Sequence, residues 1–369
     1  MEVMSVIGNT ATVIQRDTDI FYDTEVLAVI QRLKSKESGL VTSTVWGWCG
    51  NKCHCGDREE KKLIDLAKRY GTSLVTIHQL HEPQELVHAL GGKLAIRQGT
   101  RLHWSSDNTA MHVVRSARGL IMIDEVDLNL KSLCSGFSFC LTVLDNIYVW
   151  YGRGSRADER KAAMEYAQRF AAKGSTVIEL SEGEGDKKDE MFWMILGDGD
   201  YAQADYWKWR SSSLTEECRC WKVDIGNTDS VICPVPSLSS EILPQEAVYI
   251  MDCIWEFFVL VGREARAKRQ DIKLAINTAM DMSSHIAASK PFTPPIHVLV
   301  IPTQLPLDLQ IAFRDISENT LNSSHVPDHM NILSTTDAIE HLCRSSWEKS
   351  ALKDHTMLPL GLDSFHIPD

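Results

Sequence analysis

A strand–turn–helix pattern occurs three times along this chain and limits its fold more than any other feature. Each copy has an apolar strand, a glycine turn and a helix with one apolar stripe, and the turn glycines are Gly50, Gly152 and Gly262. The copies recur about a hundred residues apart, a period that is too long for a solenoid and suits tandem small domains. The pattern therefore predicts three related domains in succession.

The second copy of the pattern is the clearest. Its strand, residues 147–151, carries apolar or aromatic side chains on both faces, which is typical of a central strand covered by helices above and below. Gly152 and Gly154 follow, where a side chain would clash with the reversing chain. In residues 158–170, apolar side chains such as Tyr166 recur at helical spacing. We therefore expect an α+β (mixed α/β) fold.

Composition and charge exclude several classes of protein. The net charge of −12 argues against a nucleic-acid partner, because neutralising phosphates requires a basic surface. No apolar stretch approaches the roughly 20 residues of a transmembrane helix, and the N-terminus shows no signal peptide. Phosphoinositides are retained as a candidate partner that no residue pattern supports.

The ten cysteines show no spacing typical of a disulfide framework. Since no secretion signal is visible, we expect them to be reduced thiols in the cytosol. Cys49, Cys53 and Cys55 form a local cluster, but structural zinc sites usually use four ligands in paired spacing. We interpret the cluster as an insertion between strand and helix that happens to carry thiols.

The repeats set the predicted domain organisation. The predicted segments are repeat one at 1–99, a linker at 100–111, repeat two at 112–210, a degenerate repeat three at 211–316 and a tail at 317–369. Within the tail we expect one helix, at 336–347. Because the chain begins within what looks like a first strand, we also expect it to be part of a longer protein.

Three motifs in repeat two give the chain a family resemblance. They are Leu133-Cys134-Ser135-Gly136-Phe137-Ser138-Phe139, then the segment 148–163, and then Glu182-Gly183 followed by Phe192-Trp193-Met194-Ile195-Leu196-Gly197. In this order they resemble the gelsolin/villin repeat, and residues 82–93 of repeat one resemble its ending. The resemblance covers all three repeats and is closest to the C-terminal three-repeat half of a gelsolin.

The resemblance implies a fold and an activity. Each repeat would be a five-stranded mixed sheet between one long and one short helix. The family binds actin, caps or severs filaments, and is often controlled by calcium. No enzyme chemistry comes with it, and the chain shows no nucleophile elbow or phosphate-cradling loop; Gly152-x-Gly154 lacks the third glycine of a dinucleotide fingerprint. We therefore do not expect an enzyme.

The resemblance also implies one calcium ion per repeat, held by an acidic residue that opens the second strand, a backbone carbonyl and a glutamate of the long helix. These two side-chain positions are Glu25 and Glu59 in repeat one, Phe137 and Glu159 in repeat two, and Ala247 and Arg269 in repeat three. Repeat one is thus the only candidate calcium site, and Glu159 is at best a partial one. The alternative is that Glu25 and Glu59 are a solvated strand end and a favourable charge in the first helical turn.

The family resemblance places the actin contact on the long helix of the first repeat, here residues 57–70. Ile64 is the candidate apolar anchor, flanked by Lys61 and Lys68, which suits an amphipathic helix in a hydrophobic groove. The alternative is that Ile64 packs beneath the neighbouring repeat.

Two functional readings follow. The first is a cytoplasmic actin-binding protein of gelsolin type at the actin cytoskeleton, capping filaments or binding their sides, with weak or lost calcium dependence. The second is a scaffold that uses the same fold for contacts with proteins other than actin. Fold alone does not choose between them.

Overall fold

The computed structural model divides the chain into two compact units, Met1–Tyr201 and Ala202–Asp369. The structure describes residues 1–34, 39–105, 108–143, 146–171, 176–184, 190–197, 199–212, 218–235, 245–314, 316–323, 325–328 and 330–343. The division falls earlier than the predicted boundary at 210/211. The 3₁₀ helix Asp205–Ser212 belongs to the second unit, where Trp207 is buried and its indole N–H donates to Oε1 of Glu256 over 3.1 Å.

The first unit contains repeats one and two. The elements of repeat one are β1 Glu2–Ile7, β2 Thr10–Val13, β3 Ile20–Tyr22, β4 Val26–Lys34, β5 Val41–Cys49, α1 Asp57–Arg69, β6 Leu74–His78, α2 Gln84–Ala89 and β7 Lys93–Arg97. The elements of repeat two are β8 Ala110–Ala117, β9 Leu120–Val126, β10 Ser138–Val143, β11 Asn146–Tyr151, α3 Ala157–Phe170, β12 Thr176–Ser181 and α4 Glu190–Leu196. β8 therefore begins inside the predicted linker 100–111.

The second unit contains repeat three. Its elements are β13 Arg219–Val223, β14 Ile232–Val235, β15 Val248–Asp252, β16 Phe257–Val261, α5 Arg269–Ser289, β17 Ile296–Val300, α6 Leu307–Ala312, α7 Glu318–Leu321, β18 Ile332–Ser334 and α8 Thr335–Leu342. Leu333, Ala338 and Leu342 pack in the core of this repeat, so the domain extends beyond the predicted end at 316. The predicted tail helix is α8, and residues 344–369 lie outside the described part of the chain.

The three sheets share one topology. Read in the same direction, the strand orders are β2-β1-β4-β5-β6 in repeat one, β9-β8-β10-β11-β12 in repeat two and β14-β13-β15-β16-β17 in repeat three. In each, the strand before the long helix pairs in parallel with the strand after it, and the other neighbours are antiparallel. The predicted α+β fold with a mixed sheet in each repeat is confirmed.

Two of the sheets are larger than predicted. In repeat two, β7 pairs in parallel with β9, and β3 pairs in parallel with β7, which gives seven strands. In repeat three, β18 adds a sixth strand on β17. β3 and β7 come from repeat one, and β7 joins them to the sheet of repeat two by pairing with β9.

The alternation of side chains along β9 joins the first two repeats. Leu120 and Met122 pack into a core with Trp48 and α2. Ile121 and Ile123 point to the other face of the sheet and pack with α3 residues such as Tyr166. Because successive strand residues face opposite sides, one strand serves two hydrophobic cores. Repeats one and two are therefore a single packed body.

The turn glycines allow a close approach of two backbone segments. The N–H of each donates to the carbonyl of the residue that opens the second long strand, in the pairs Gly50–Glu25, Gly152–Phe137 and Gly262–Ala247, each over 3.0 Å. A Cβ at any of the three glycines would overlap a carbonyl oxygen two residues before that strand-opening residue. Glycine is needed here for space, and not for a left-handed backbone.

Two further predictions concern membranes and cysteines. Within the described ranges, none of the helices combines the length and apolar character that a membrane crossing requires. All ten cysteines fall in these ranges, and each is a free thiol.

Candidate functional site

Each long helix carries a carboxylate at its third residue. These are Glu59 in α1, Glu159 in α3 and Asp271 in α5. Each accepts a hydrogen bond from a backbone N–H at the hairpin that begins its repeat: Gly8 at 2.7 Å, Ser116 at 2.8 Å and Ile225 at 3.0 Å. The carboxylate thus fastens the first turn of the helix to that hairpin. We call this contact the helix clasp.

The helix clasp corrects the predicted alignment of repeat three. Arg269 is the first residue of α5, and Asp271 occupies the position of Glu59 and Glu159. A carboxylate is therefore present where the sequence alignment placed a cation. The sequence held a usable signal, because Asp271 precedes the buried Ala279 by the same interval that separates Glu159 from Ala167.

The clasp oxygens have further donors in repeats one and two. Glu159 has no exposed surface, and its Oε2 accepts the N–H of Arg156 over 2.9 Å. Oε2 of Glu59 accepts the N–H of Gly56 over 3.1 Å. Backbone N–H donors, first that of Glu59 itself and then that of Gly8, lower the pKa of Glu59 below its usual value.

Glu25, the other candidate calcium ligand of repeat one, forms a bidentate ion pair with Arg101. Nε of Arg101 lies 2.7 Å from Oε1 of Glu25, and Nη2 lies 2.9 Å from Oε2. The N–H of Tyr22 also donates to Oε2 over 3.1 Å. Nη2 of Arg101 donates in addition to the carbonyl of Ile20 over 2.6 Å. Both oxygens of Glu25 are therefore engaged by a cation.

Calcium prefers six to eight oxygen ligands, and these residues do not fit that requirement. Both oxygens of Glu25 bind a guanidinium, and both oxygens of Glu59 bind backbone N–H groups. In repeat two the strand position is the buried Phe137. Over the ranges that the structure covers, no group of three or more His, Cys, Asp or Glu side chains could hold a metal ion.

The thiol cluster of Cys49, Cys53 and Cys55 combines a buried, a half-buried and an exposed side chain. Cys49 is buried at the end of β5, and Cys55 is exposed. Burial and then a hydrogen bond with Cys55 raise the pKa of Cys49 to about 12. Cys49 is therefore a protonated thiol at neutral pH, and Cys53 and Cys55 beside it are free thiols as well.

The candidate actin-binding residues lie on α1 as the amphipathic pattern indicates. Leu63 and Leu66 are buried against the sheet, whereas Lys61 and Lys68 are exposed. Ile64 is half-buried, at the margin of the outward face. The structure brings Ile64 and the two lysines to one surface of the helix. Their role in actin binding stays a prediction.

Sequence reasoning missed Arg101. It lies in a segment predicted to be a linker, and its partner Glu25 is 76 residues away in the chain. No local pattern indicates such a pair, because the side chains meet only after β3, β7 and β4 have assembled. A lone arginine in a polar segment has no special signature.

Two family models match this chain. A model described as a gelsolin repeat matches residues 120–187, and one described as a domain of unknown function (DUF7904) matches residues 1–98. Advillin of Mus musculus is 25% identical over 219 residues, covering 58% of this chain and 26% of advillin. Macrophage-capping protein of Homo sapiens is 29% identical over 149 residues, covering 35% of this chain and 42% of that protein.

A solved complex of Thorarchaeota 2DGel3 with rabbit actin matches 51% of this chain and 95% of its own, with 18% identity and a TM-score of 0.21. A score this low supports no structural argument. The matched region of this chain spans less than half the length of the two curated relatives.

Proposed function

The chain belongs to the gelsolin/villin family, and on that premise we propose that it binds actin, capping filaments or binding their sides without catalysing a reaction. The observation that carries the proposal is the outward surface of α1. There Ile64 lies between exposed Lys61 and Lys68, while the opposite face of the helix is fixed by Leu63 and Leu66. An apolar anchor with charged flanks on a rigid helix suits a hydrophobic cleft. We place this activity in the cytoplasm, at the actin cytoskeleton.

We also propose that actin binding depends weakly or not at all on calcium. The support is the engagement of Glu25 by Arg101 and of Glu59 by backbone N–H groups. A calcium ion in repeat one would have to displace these donors, and repeats two and three have Phe137 and Ala247 at the strand position.

The experiment is binding of the full chain to monomeric and filamentous actin, in calcium and in chelator. We expect similar affinity in both conditions. Ile64→Asp should weaken binding about tenfold or more, because it places a charge in the apolar contact. Met280→Asp is the matched control, since Met280 is 40% exposed on α5, and it should leave binding unchanged.

Two outcomes would contradict the proposal. Equal binding by the wild type and Ile64→Asp would remove α1 as the contact surface. No actin binding in either condition would favour the scaffold function, in which the fold contacts other proteins. Binding in calcium alone would reject calcium independence and leave the actin proposal standing.

A further inference from the structure

Three consecutive residues directly before β4 hold the segment that leads from repeat one into repeat two. Oδ1 of Asp23 accepts the N–H of Gly99 over 2.8 Å, and the hydroxyl of Thr24 donates to the carbonyl of Gly99 over 2.6 Å. Glu25 pairs with Arg101. We call Asp23, Thr24 and Glu25 the linker clamp.

The two carboxylates of the linker clamp are largely shielded from water. The side chains of Asp23 and Glu25 are 5% and 10% exposed, and that of Arg101 is 26% exposed. The guanidinium of Arg101 also lies 4.8 Å from the centre of the Tyr22 ring. Bidentate, partly desolvated pairs of this kind are stronger and more directional than surface ion pairs.

We propose that Arg101 takes the role of calcium in repeat one: its guanidinium neutralises Glu25 and fastens repeat one to the segment that enters repeat two. The family implies a free cation that links two elements. Here the cation is part of the chain and links β4 to the linker, so that the first two repeats stay joined whether or not calcium is present.

A tethered cation has an advantage over a dissolved one. Its effective concentration at Glu25 is set by the chain and not by the solution. Calcium binding to Glu25 would also leave the guanidinium of Arg101 beside Tyr22 and Ile20 without its carboxylate, and unpairing a partly buried charge is costly. The arrangement therefore disfavours calcium at the position where the family resemblance places it.

The clamp is specific to repeat one. The residues equivalent to Glu25 are Phe137 and Ala247, and neither has a side-chain oxygen. Repeat one is also the repeat whose strands β3 and β7 extend the sheet of its neighbour. The only strand-opening carboxylate in this set thus lies at the junction that is built from two repeats.

The inference is tested by amide hydrogen exchange of the full chain, measured in calcium and in chelator. The exchange rate is compared for the peptides that cover residues 97–104 and Tyr22. We expect calcium to leave exchange of the wild type unchanged. Arg101→Glu and Glu25→Arg should each speed exchange of these peptides about tenfold or more, and the double charge reversal should restore much of the protection. Arg16→Glu is the control at an exposed arginine.

Two results would overturn the inference. One is slower exchange of the wild type in calcium that Glu25→Gln abolishes, because Glu25 would then bind the metal. The other is unchanged exchange in Arg101→Glu. If the charge reversals fail to fold, Arg101→Gln removes the cation more gently and the same comparison applies. The inference rests on the proposed function only for its consequence for actin binding. Hydrogen exchange is measured without actin, so a failure of the Arg101–Glu25 pairing can be distinguished from a failure of actin binding.

Discussion

The N–H of Gly8 donates to Oε1 of Glu59 over 2.7 Å, although 51 residues separate them in the chain. Ser116 and Glu159 repeat this relationship in the second domain, and Ile225 and Asp271 repeat it in the third. The helix carboxylate that the family resemblance assigns to calcium therefore has a structural partner in every repeat. In this chain the contact holds the first turn of the long helix to the first hairpin of its repeat.

The helix clasp should contribute most to the free energy of unfolding in the repeat where its carboxylate is buried. Glu159→Gln keeps one acceptor but turns an NH₂ group towards the N–H of Ser116 or Arg156, so we expect a loss of about 2 kcal/mol in the free energy of unfolding of the first unit. Urea denaturation measures it. Glu165→Gln, which removes a half-exposed partner of Lys93, should cost less than about 1 kcal/mol. Equal losses in the two variants would contradict the clasp.

The turn glycines should tolerate no side chain. In Gly152→Ala the new Cβ would overlap the carbonyl oxygens of Ser135 and Phe137, and we expect a loss of about 3 kcal/mol or more. Gly119→Ala is the comparison, because Gly119 has a φ of +73° and open space around its Cβ position. It should cost only about 1 kcal/mol, from backbone strain. Thermal unfolding would separate the two mechanisms, and the reverse order would refute the steric explanation.

His112 should make the first unit sensitive to acid. Burial, and then the charge of Arg97, lower the pKa of His112 to about 3, although Asp124 acts in the opposite direction. Since the unfolded chain takes up the proton near pH 6.5, stability is fully present above that pH and is lost as pH falls towards 3. Between pH 6.5 and 5 the loss should be about 2 kcal/mol.

The variant His112→Phe keeps an aromatic ring against that of Tyr166; in the wild type the centres of the His112 and Tyr166 rings are 5.2 Å apart. In this variant the melting temperature of the first unit should decrease less between pH 6.5 and pH 5 than it does in the wild type. His88→Gln changes an exposed histidine and should leave the fall as it is. An unchanged slope in His112→Phe would assign the acid sensitivity to other groups.

Asp308 should give the second unit the opposite pH dependence. Burial, and then the charge of Glu256 with which it shares a hydrogen bond, raise the pKa of Asp308 well above its usual value. A raised carboxyl pKa stabilises the fold below the unfolded value near 4, and this contribution is lost as pH rises through the folded pKa. Asp308→Asn keeps a donor for Glu256 and has no proton to lose.

We therefore expect Asp308→Asn to raise the melting temperature of the second unit at pH 8 relative to the wild type, with a smaller or reversed effect at pH 5. Calorimetric scans at both pH values measure the difference. Asp281→Asn, at an exposed residue of α5, is the control. A variant that is no more stable than the wild type at pH 8 would contradict the raised pKa of Asp308.

Local sequence patterns predicted the three repeats but did not predict how repeats one and two are joined. The apolar stripe of α3 with the buried Tyr166 is confirmed, as are the central strands before the turn glycines and the family resemblance. The prediction that Arg269 takes the helix position of Glu59 and Glu159 was wrong by two residues, because α5 begins at Arg269 and its third residue is Asp271. β3 and β7 joined an unexpected sheet, because the hydrogen-bonding edge of a short strand does not specify its partner.

The sequence by itself determined the three repeats, their α+β fold and the apolar faces of their long helices, because periodicity and glycine turns act over a few residues. Tertiary structure alone decided which charges meet. Arg101 reaches Glu25 only after β4 and β7 are in place, and Gly8 reaches Glu59 only after the hairpin folds against α1. A carboxylate in the sequence suits calcium, guanidinium or an N–H group equally well. The choice among them depends on what the assembled fold brings within about 3 Å of its oxygens.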